Sequence, residues 1–299
     1  PVVGNPLASG TALRNAYDAV VASPEAPILL KLEPGAYDVG STPFALSKPD
    51  VHLEGSGRDL TTITGSGFVV MLLNVNLTDA NINLSRLSVR NNSGDGLTVL
   101  GGRVDLAEVR VTTTKDTASG FVSGVTYAFG ATGSFKNVIV EATNASGYAQ
   151  GLSLNNQTPG ASPFVVDDVV VTASAGSYAR GVQVGSSASM NNLRVRGSWN
   201  GLEVIATNPT PPVIAITNSR IEGGSAGLVT GSSGSSTITV QGSSVVGGSA
   251  SVLFDSISSA QARIAQTLLS GPAFNSPPNT LTCLGAYNAA FQPLDASCQ

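Results

Sequence analysis

Between residues 80 and 270 the chain alternates apolar and polar positions in short bursts, and the bursts recur. Aligned on the apolar residue that follows an Asn-x-x type of turn, the anchors are Val89, Val111, Val140, Val171, Val195, Ile221, Val245 and Leu269. Successive anchors lie 22, 29, 31, 24, 26, 24 and 24 residues apart. Five residues before them stand Leu84, Leu106, Phe135, Val166, Met190, Ile216, Val240 and Ile264. Three residues before them stand turn or polar residues: Arg86, Glu108, Asn137, Asp168, Asn192, Asn218, Gly242 and Gln266. After most anchors comes a glycine followed by Leu or Val, at Gly96, Gly124, Gly151, Gly181, Gly201 and Gly227. The alternation is that of short strands separated by Gly, Asn and Ser turns.

A unit this small cannot bury its apolar side alone, whereas stacked units share a continuous core. Variable intervals fit coils whose strands are fixed in register and whose loops are not. An antiparallel sandwich would show repeated two-residue hairpin turns such as Asn-Gly, and that dipeptide occurs only as Asn200-Gly201, inside the repeat. The pattern therefore predicts a single-domain, all-β parallel β-helix, a solenoid of about ten coils. Residues 9–23 differ in texture: Leu13, Ala16, Tyr17, Val20 and Val21 share one helical face behind a Ser/Thr cap. A helix there would cover the open strand edges of the first coil. The expected organisation is a cap segment at 1–27, the β-helix at 28–270 and a tail at 271–299.

Residues 28–65, ILLKLEPGAYDVGSTPFALSKPDVHLEGSGRDLTTITG, carry a more specific likeness. The LEPGAYDV turn and the VHLEGSGRDLTTI rung resemble the opening coils of the pectate-lyase-like superfamily. Within it the chain is most similar to bacterial extracellular proteins, often appended to fibre-like assemblies. The resemblance implies a right-handed coil, which the spacing alone does not. The superfamily includes pectate lyases, polygalacturonases, pectin methylesterases, phage tailspikes and proteins without known activity, so the fold does not assign a function.

Composition narrows the classes. Apolar residues make up 41% of the 299, charged residues only 11%, and the net charge is −4. That balance speaks against a nucleic-acid partner, and no apolar run reaches the ~20 residues of a membrane span. Pro1 is read as a trimmed start from which any leader has gone. Cys283 and Cys298 are expected to form a disulfide closing the tail, which places the protein outside the cell or on its surface. Two cysteines and one histidine match no metal pattern, and no cofactor is expected.

No catalytic residue is assigned. Hydrolysis of a glycosidic bond needs clustered carboxylates. The one adjacent acidic pair is Asp167-Asp168, of which Asp168 falls in the turn column. A calcium-assisted elimination needs several carboxylate oxygens together, yet the acidic residues are scattered one per rung. His52 is expected to face solvent on an early rung, without a catalytic partner. Ice binding would need a flat threonine array, and the outward rows are mixed.

The chain says nearly the same thing twice, in GYAQGLSL at 147–154 and SYARGVQV at 177–184. The anchor-to-glycine distances are 7, 13, 11, 10, 6 and 6 residues, so the long excursions are consecutive and end at Gly124, Gly151 and Gly181. Stacking would set an aromatic row, Phe121, Tyr148 and Tyr178 with Trp199 near the next place, beside a polar row. The candidate glycan strip is Tyr148, Gln150, Tyr178, Arg180, Trp199 and Glu203, because ring faces suit the C–H faces of sugars and polar groups suit their edges. An internal stack that props the loops is the competing structural account. A second outward row flanks the anchors: Arg110, Arg194 and Arg220 before them, Arg90, Glu141, Arg196 and Glu222 after them. It is expected to be a solvated charged face with cross-strand pairs such as Arg196–Glu222. Ile139 and Val170 interrupt it and call for a cover, by the C-terminal tail or a neighbouring subunit. The leading expectation is an extracellular structural or adhesive solenoid, either glycan-binding or part of a larger fibre or surface assembly, with a polysaccharide or cell-surface glycan as the candidate partner. The alternative is an enzyme, a lyase or hydrolase, acting on acidic glycans.

Overall fold

From the third coil onward the chain makes its first sharp turn at one residue, whereas the first two coils use longer turns through Gly35 and through 56–60. In the computed structural model, φ lies between 49° and 57° at Arg86, Glu108, Asn137, Asp168, Asn192, Asn218, Gly242 and Gln266, the column three residues before the anchors. Gly285, at 61°, continues it. The structure describes residues 4–21, 27–73, 81–116, 120–156, 158, 161–206, 210–231, 234–255 and 259–299.

A left-handed residue with a Cβ costs roughly 1–2 kcal/mol, less when its side chain is Asn or Asp. The backbone hydrogen-bond ladder running through the corner offsets this. Arg86 N–H donates to Ala107 O at 3.0 Å, Glu108 N–H to Lys136 O at 2.9 Å and Gln266 N–H to Leu284 O at 3.0 Å. The corner side chains also bond along the stack. Asn192 Nδ2 donates to Asp168 Oδ1 at 3.0 Å, and Asn218 Nδ2 to Asn191 Oδ1 at 3.0 Å. Asp168 thus has the structural place expected of it, bonded to a side chain rather than to backbone.

The strands before and after this corner join into one bent, 19-stranded parallel sheet whose halves form two walls; a 10-stranded parallel sheet forms the third wall. The architecture is a right-handed parallel β-helix. Register follows the sequence columns. On the first wall Met190, Ile216, Val240 and Ile264 stack in order. On the second the anchors Val171, Val195, Ile221, Val245 and Leu269 stack. On the third Leu152, Val182, Leu202, Leu228 and Val252 do so. All of these side chains are buried in one core.

The glycine column is set by the anchors together with the carbonyl of the next glycine in the column, which a Cβ would approach to 2.6–2.7 Å. A Cβ on Gly124, Gly151 or Gly181 would lie 2.3, 2.3 or 2.2 Å from Cγ1 of Val140, Val171 or Val195. Third wall and second wall therefore meet at a distance that leaves no room for a methyl group.

One inward column changes character along the axis. Two residues before the anchors it reads Leu87, Val109, Val138, Val169 and Leu193, then Ser219, Ser243 and Thr267, all buried. Each hydroxyl donates to its own strand, to Thr217 O, Gln241 O and Ala265 O. Each also accepts the N–H of the preceding coil: Leu193 N–H on Ser219, Ser219 N–H on Ser243 and Ser243 N–H on Thr267.

The helix spans Pro6–Val21, three residues earlier than the sequence pattern places its start. Asn5 is the cap, its Oδ1 accepting Ala8 N–H at 3.0 Å, with proline at the first helical position. Leu13 and Tyr17 are buried, while Ala16, expected on the same face, is exposed. The side chain of Val21 and residues 22 and 23 lie outside the described residues. Tyr17 packs edge-on against Phe44 of the first coil at 5.5 Å, and its hydroxyl accepts Ser47 N–H and Lys48 N–H. At the other end strands continue through Thr280–Leu284 and Tyr287–Asn288. The chain then folds back: Leu294 N–H bonds Ala286 O, Cys283 N–H bonds Ala296 O, and the Cys283–Cys298 disulfide closes the turn. The tail covers the last coil and does not reach Ile139 or Val170, because its bonds run to residues of the final strands.

Replacing Gly181 by Ala is expected to destabilise the protein by about 1–3 kcal/mol through overpacking. Combined with Val195→Ala, the loss should fall short of the sum of the two single variants in denaturant unfolding. Strict additivity would show that the glycine column is not set by the anchors.

Candidate functional site

The third wall presents three outward columns. The first holds Phe121, Tyr148 and Tyr178 in register. The second holds Ser123, Gln150, Arg180 and Asn200, and Asp95 opens it one coil below, accepting Ser123 N–H at 2.7 Å. The third holds Thr98, Thr126, Ser153, Gln183 and Glu203, then turns apolar at Val229 and Leu253. The long excursions into this wall carry the first column outward over a small apolar cluster of Val122, Ala142, Ala149, Ala173 and Ala179.

All six residues of the expected strip lie on this wall. Tyr148 and Tyr178 have ring centroids 6.4 Å apart, and Tyr178 and Trp199 5.6 Å. Trp199 stands one residue out of register, since Arg180 pairs with Asn200, and enters the row by its ring instead. Tyr148 and Trp199 are 49% and 47% exposed, so both side chains are open to contact from solvent. Phe121, Tyr148, Ala149, Tyr178 and Arg180 line an open groove of about 440 Å³.

The polar residues beside the rings are already bonded to one another and largely covered: Gln150 and Asn200 are buried, contrary to the expected place of Gln150 on the open strip, while Arg180 and Gln183 are partly exposed. Glu203 is buried, and its Oε2 receives Arg180 Nε at 2.7 Å, Tyr178 OH at 2.8 Å and Asn200 Nδ2 at 3.1 Å. Arg180 also lies 4.8 Å over the Tyr178 ring. Gln150 Nε2 donates to Gln183 Oε1 at 3.1 Å. Burial raises the Tyr178 phenol above its ordinary value, the Arg180 hydrogen bond opposes this, and Glu203 adds to it. The strip is a preorganised surface whose one guanidinium is already neutralised by a buried carboxylate.

Sequence columns could not show these partnerships, nor the importance of Asp95. Burial pushes the Asp95 carboxyl up to about 6, against the pull of Ser123 N–H and Lys115. Elsewhere, His52 differs from its expected place. It is half-buried and its Nδ1 accepts Asn83 N–H at 3.1 Å, filling a gap in the backbone ladder. Asp167 faces outward and accepts from Asn191 at 2.8 Å. Among the described residues no group of three His, Cys, Asp or Glu side chains is placed to hold a metal ion.

No family model matches the chain, and no curated protein does. Solved structures of similar architecture include the A-module of mannuronan C-5 epimerase AlgE4 from Azotobacter vinelandii, 15% identical with a TM-score of 0.49 over 99% of this chain and 90% of that one. Pectin methylesterase PemA from Erwinia chrysanthemi is 11% identical, with a TM-score of 0.42 over 94% and 87%. Tailspike protein 3 of bacteriophage CBA120 is 11% identical, with a TM-score of 0.32 over 95% and 59%. At these values the likeness transfers no residue and no chemistry.

Two outcomes follow for the strip's charged groups. A carboxyl whose folded value lies above its unfolded one stabilises the fold below the unfolded value and loses that contribution as pH rises through the folded value. Asp95→Asn should therefore gain stability over the parent as pH rises from about 4 to about 6, followed by unfolding at several pH values. A constant difference would mean that Asp95 titrates normally. Arg180→Ala strands Glu203 without its cation and should cost about 3 kcal/mol, most of which Glu203→Gln in the same chain restores. An unchanged melting temperature in Arg180→Ala would show that the pair is not formed.

Proposed function

We propose that this protein is an extracellular structural or adhesive β-solenoid that binds a glycan along the third wall, through Tyr148, Tyr178 and Trp199 and the polar groups beside them. The observation that carries this reading is the run of rings, one per coil over three coils, of which Tyr148 and Trp199 are about half exposed and Tyr178 between them less so, beside side chains fixed by mutual hydrogen bonds. Rings in such a row offer apolar faces to successive sugars, and the partly exposed Arg180 and Gln183, held by the buried Glu203 and Gln150, meet hydroxyls without first losing rotamer freedom. Because Arg180 is held by Glu203, the strip suits neutral sugars better than acidic ones. The Cys283–Cys298 bond supports an oxidising setting, and no helix is long and apolar enough to cross a membrane.

An enzymatic reading draws on one observation, the protonatable Asp95 on the same wall. The other buried carboxylate of that wall, Glu203, lies four coils away, or roughly 19 Å at about 4.8 Å per coil. A pair of catalytic carboxyls needs a separation of about 5–9.5 Å. The arrangement therefore favours binding over hydrolysis.

The test is a glycan array read together with an assay for new reducing ends and unsaturated products. Retention of a neutral oligosaccharide without product is the expected result. Tyr148→Ala should weaken that retention by about 1 kcal/mol, or roughly fivefold, with little change in melting temperature because its ring is half exposed. Product formation would move the protein to the enzymatic reading. Tyr148→Ala and Tyr178→Ala variants that lose stability but bind as before would leave the rings as internal props.

A further inference from the structure

The second wall carries a feature that the glycan strip does not use. At the corner between second and third walls, the long turn after Ala173 steps down to short turns at Gly197 and Gly223. There a Cβ would lie 1.8 and 1.7 Å from Asn200 O and Ala226 O. The step leaves a groove of about 590 Å³ whose walls include Thr172, Ser174, Arg196 and Glu222. A second hollow of about 220 Å³ adjoins it and shares Thr172, Arg196 and Glu222, adding Val170, Arg194 and Arg220. Together they cross four coils, from Val170 to Val246, on the other side of the corner from the aromatic row.

The charges in this groove are unbalanced. Arg194 and Arg196 project outward from one strand, both exposed. Glu222 is the register partner of Arg196, but it pairs with Arg220 on its own strand, so the expected Arg196–Glu222 bridge is not made. Among the described residues Arg194 and Arg196 form no ion pair, and Arg220 stands directly beside Arg194 in the next coil. Glu141, the other acidic side chain of this column, lies two coils below Arg196 and is engaged by Thr112 at 3.1 Å. A molecule with a net charge of −4 thus concentrates three guanidiniums against one carboxylate in a concave place.

We propose that this groove is an oxyanion site for an acidic oligosaccharide, distinct from the strip on the third wall. The guanidinium forks of Arg194 and Arg196 match a planar carboxylate or a sulfate with two parallel hydrogen bonds. The hydroxyls of Thr172 and Ser174 face sugar hydroxyls, and Val170, 36% exposed, offers an apolar edge for a ring face. A simple inorganic anion would use the arginines alone. The hydroxyls and the length of the groove fit a chain that carries its charges on sugars. The groove-lining residues include no aromatic ring on which a nucleobase could stack.

The experiment is calorimetric titration of the whole protein with three probes: a short oligogalacturonate, a sulfated oligosaccharide of similar length, and a neutral oligosaccharide as control. Binding of either anionic probe, weakened about tenfold or more by Arg194→Gln with Arg196→Gln and untouched by Tyr148→Ala, supports the site and names its oxyanion. Arg196→Lys should keep part of the affinity, since it retains charge but not the fork. Glu222→Gln should tighten binding, because it removes the competing carboxylate and frees Arg220; a merely solvated face would not respond so. Failure of both anionic probes to bind overturns the proposal. So does affinity indifferent to the arginine variants, or tighter binding of a single-stranded oligonucleotide than of either glycan. Failure of the third-wall strip shows instead in the Tyr148→Ala arm with neutral sugars, so the two outcomes separate.

Discussion

A chain can stack on itself in parallel only if its coils turn at the same height, and from Arg86 onward a single left-handed residue makes that turn. Because the corner occupies one residue, the strands on both sides keep a fixed phase. Inward side chains then fall into columns over many coils. The column does not demand glycine. Arg86, Glu108 and Gln266 adopt the same conformation as Asn137 and Asn192, since the backbone bonds through the corner hold the turn whatever the side chain. What it does demand is invariance of length: the five-residue spacing across the corner holds at all eight anchors while the rest of the coil varies.

Variation is displaced to the other two corners, and the molecule's surface features follow from it. Where the excursion between second and third walls is long, rings are lifted outward on the third wall. Where it shortens at Gly197, a ledge opens on the second wall beside Arg196. Both concave places arise from the same change in loop length, on opposite sides of one corner. The scaffold is regular, and its sites lie where regularity is broken.

This division also decides what could be read from sequence. The anchors, the glycines and the polar rows were legible because the hydrogen-bond ladder ties burial and register to chain position. Tyr148 facing Tyr178, and Gln150 facing Arg180, follow directly from spacing. Partner choice was not legible. A long side chain reaches several neighbours: Glu222 took Arg220 two residues away rather than Arg196 in register, and Arg180 took Glu203 from the next coil. Trp199 slipped by one residue because its excursion is short, and a ring can still reach the row from there. The helix began early because Asn5-Pro6 is a stronger start than the Ser and Thr that follow. The polar stretch of the inner column was missed because serine in a strand pattern reads as surface.

That inner stretch gives the stack a direction. Ser219, Ser243 and Thr267 each have one proton, spent on a carbonyl of their own strand, so only their lone pairs are left for the neighbouring coil, and they meet it on one side. Apolar packing is indifferent to which neighbour is above and which below, but this row is not. Loss of the Ser243 hydroxyl orphans an N–H in the coil before it and leaves the donor arrangement of Thr267 intact. Damage in this part of the protein is therefore handed on one way, toward the N-terminal end, like a missing rung felt only by the climber beneath it.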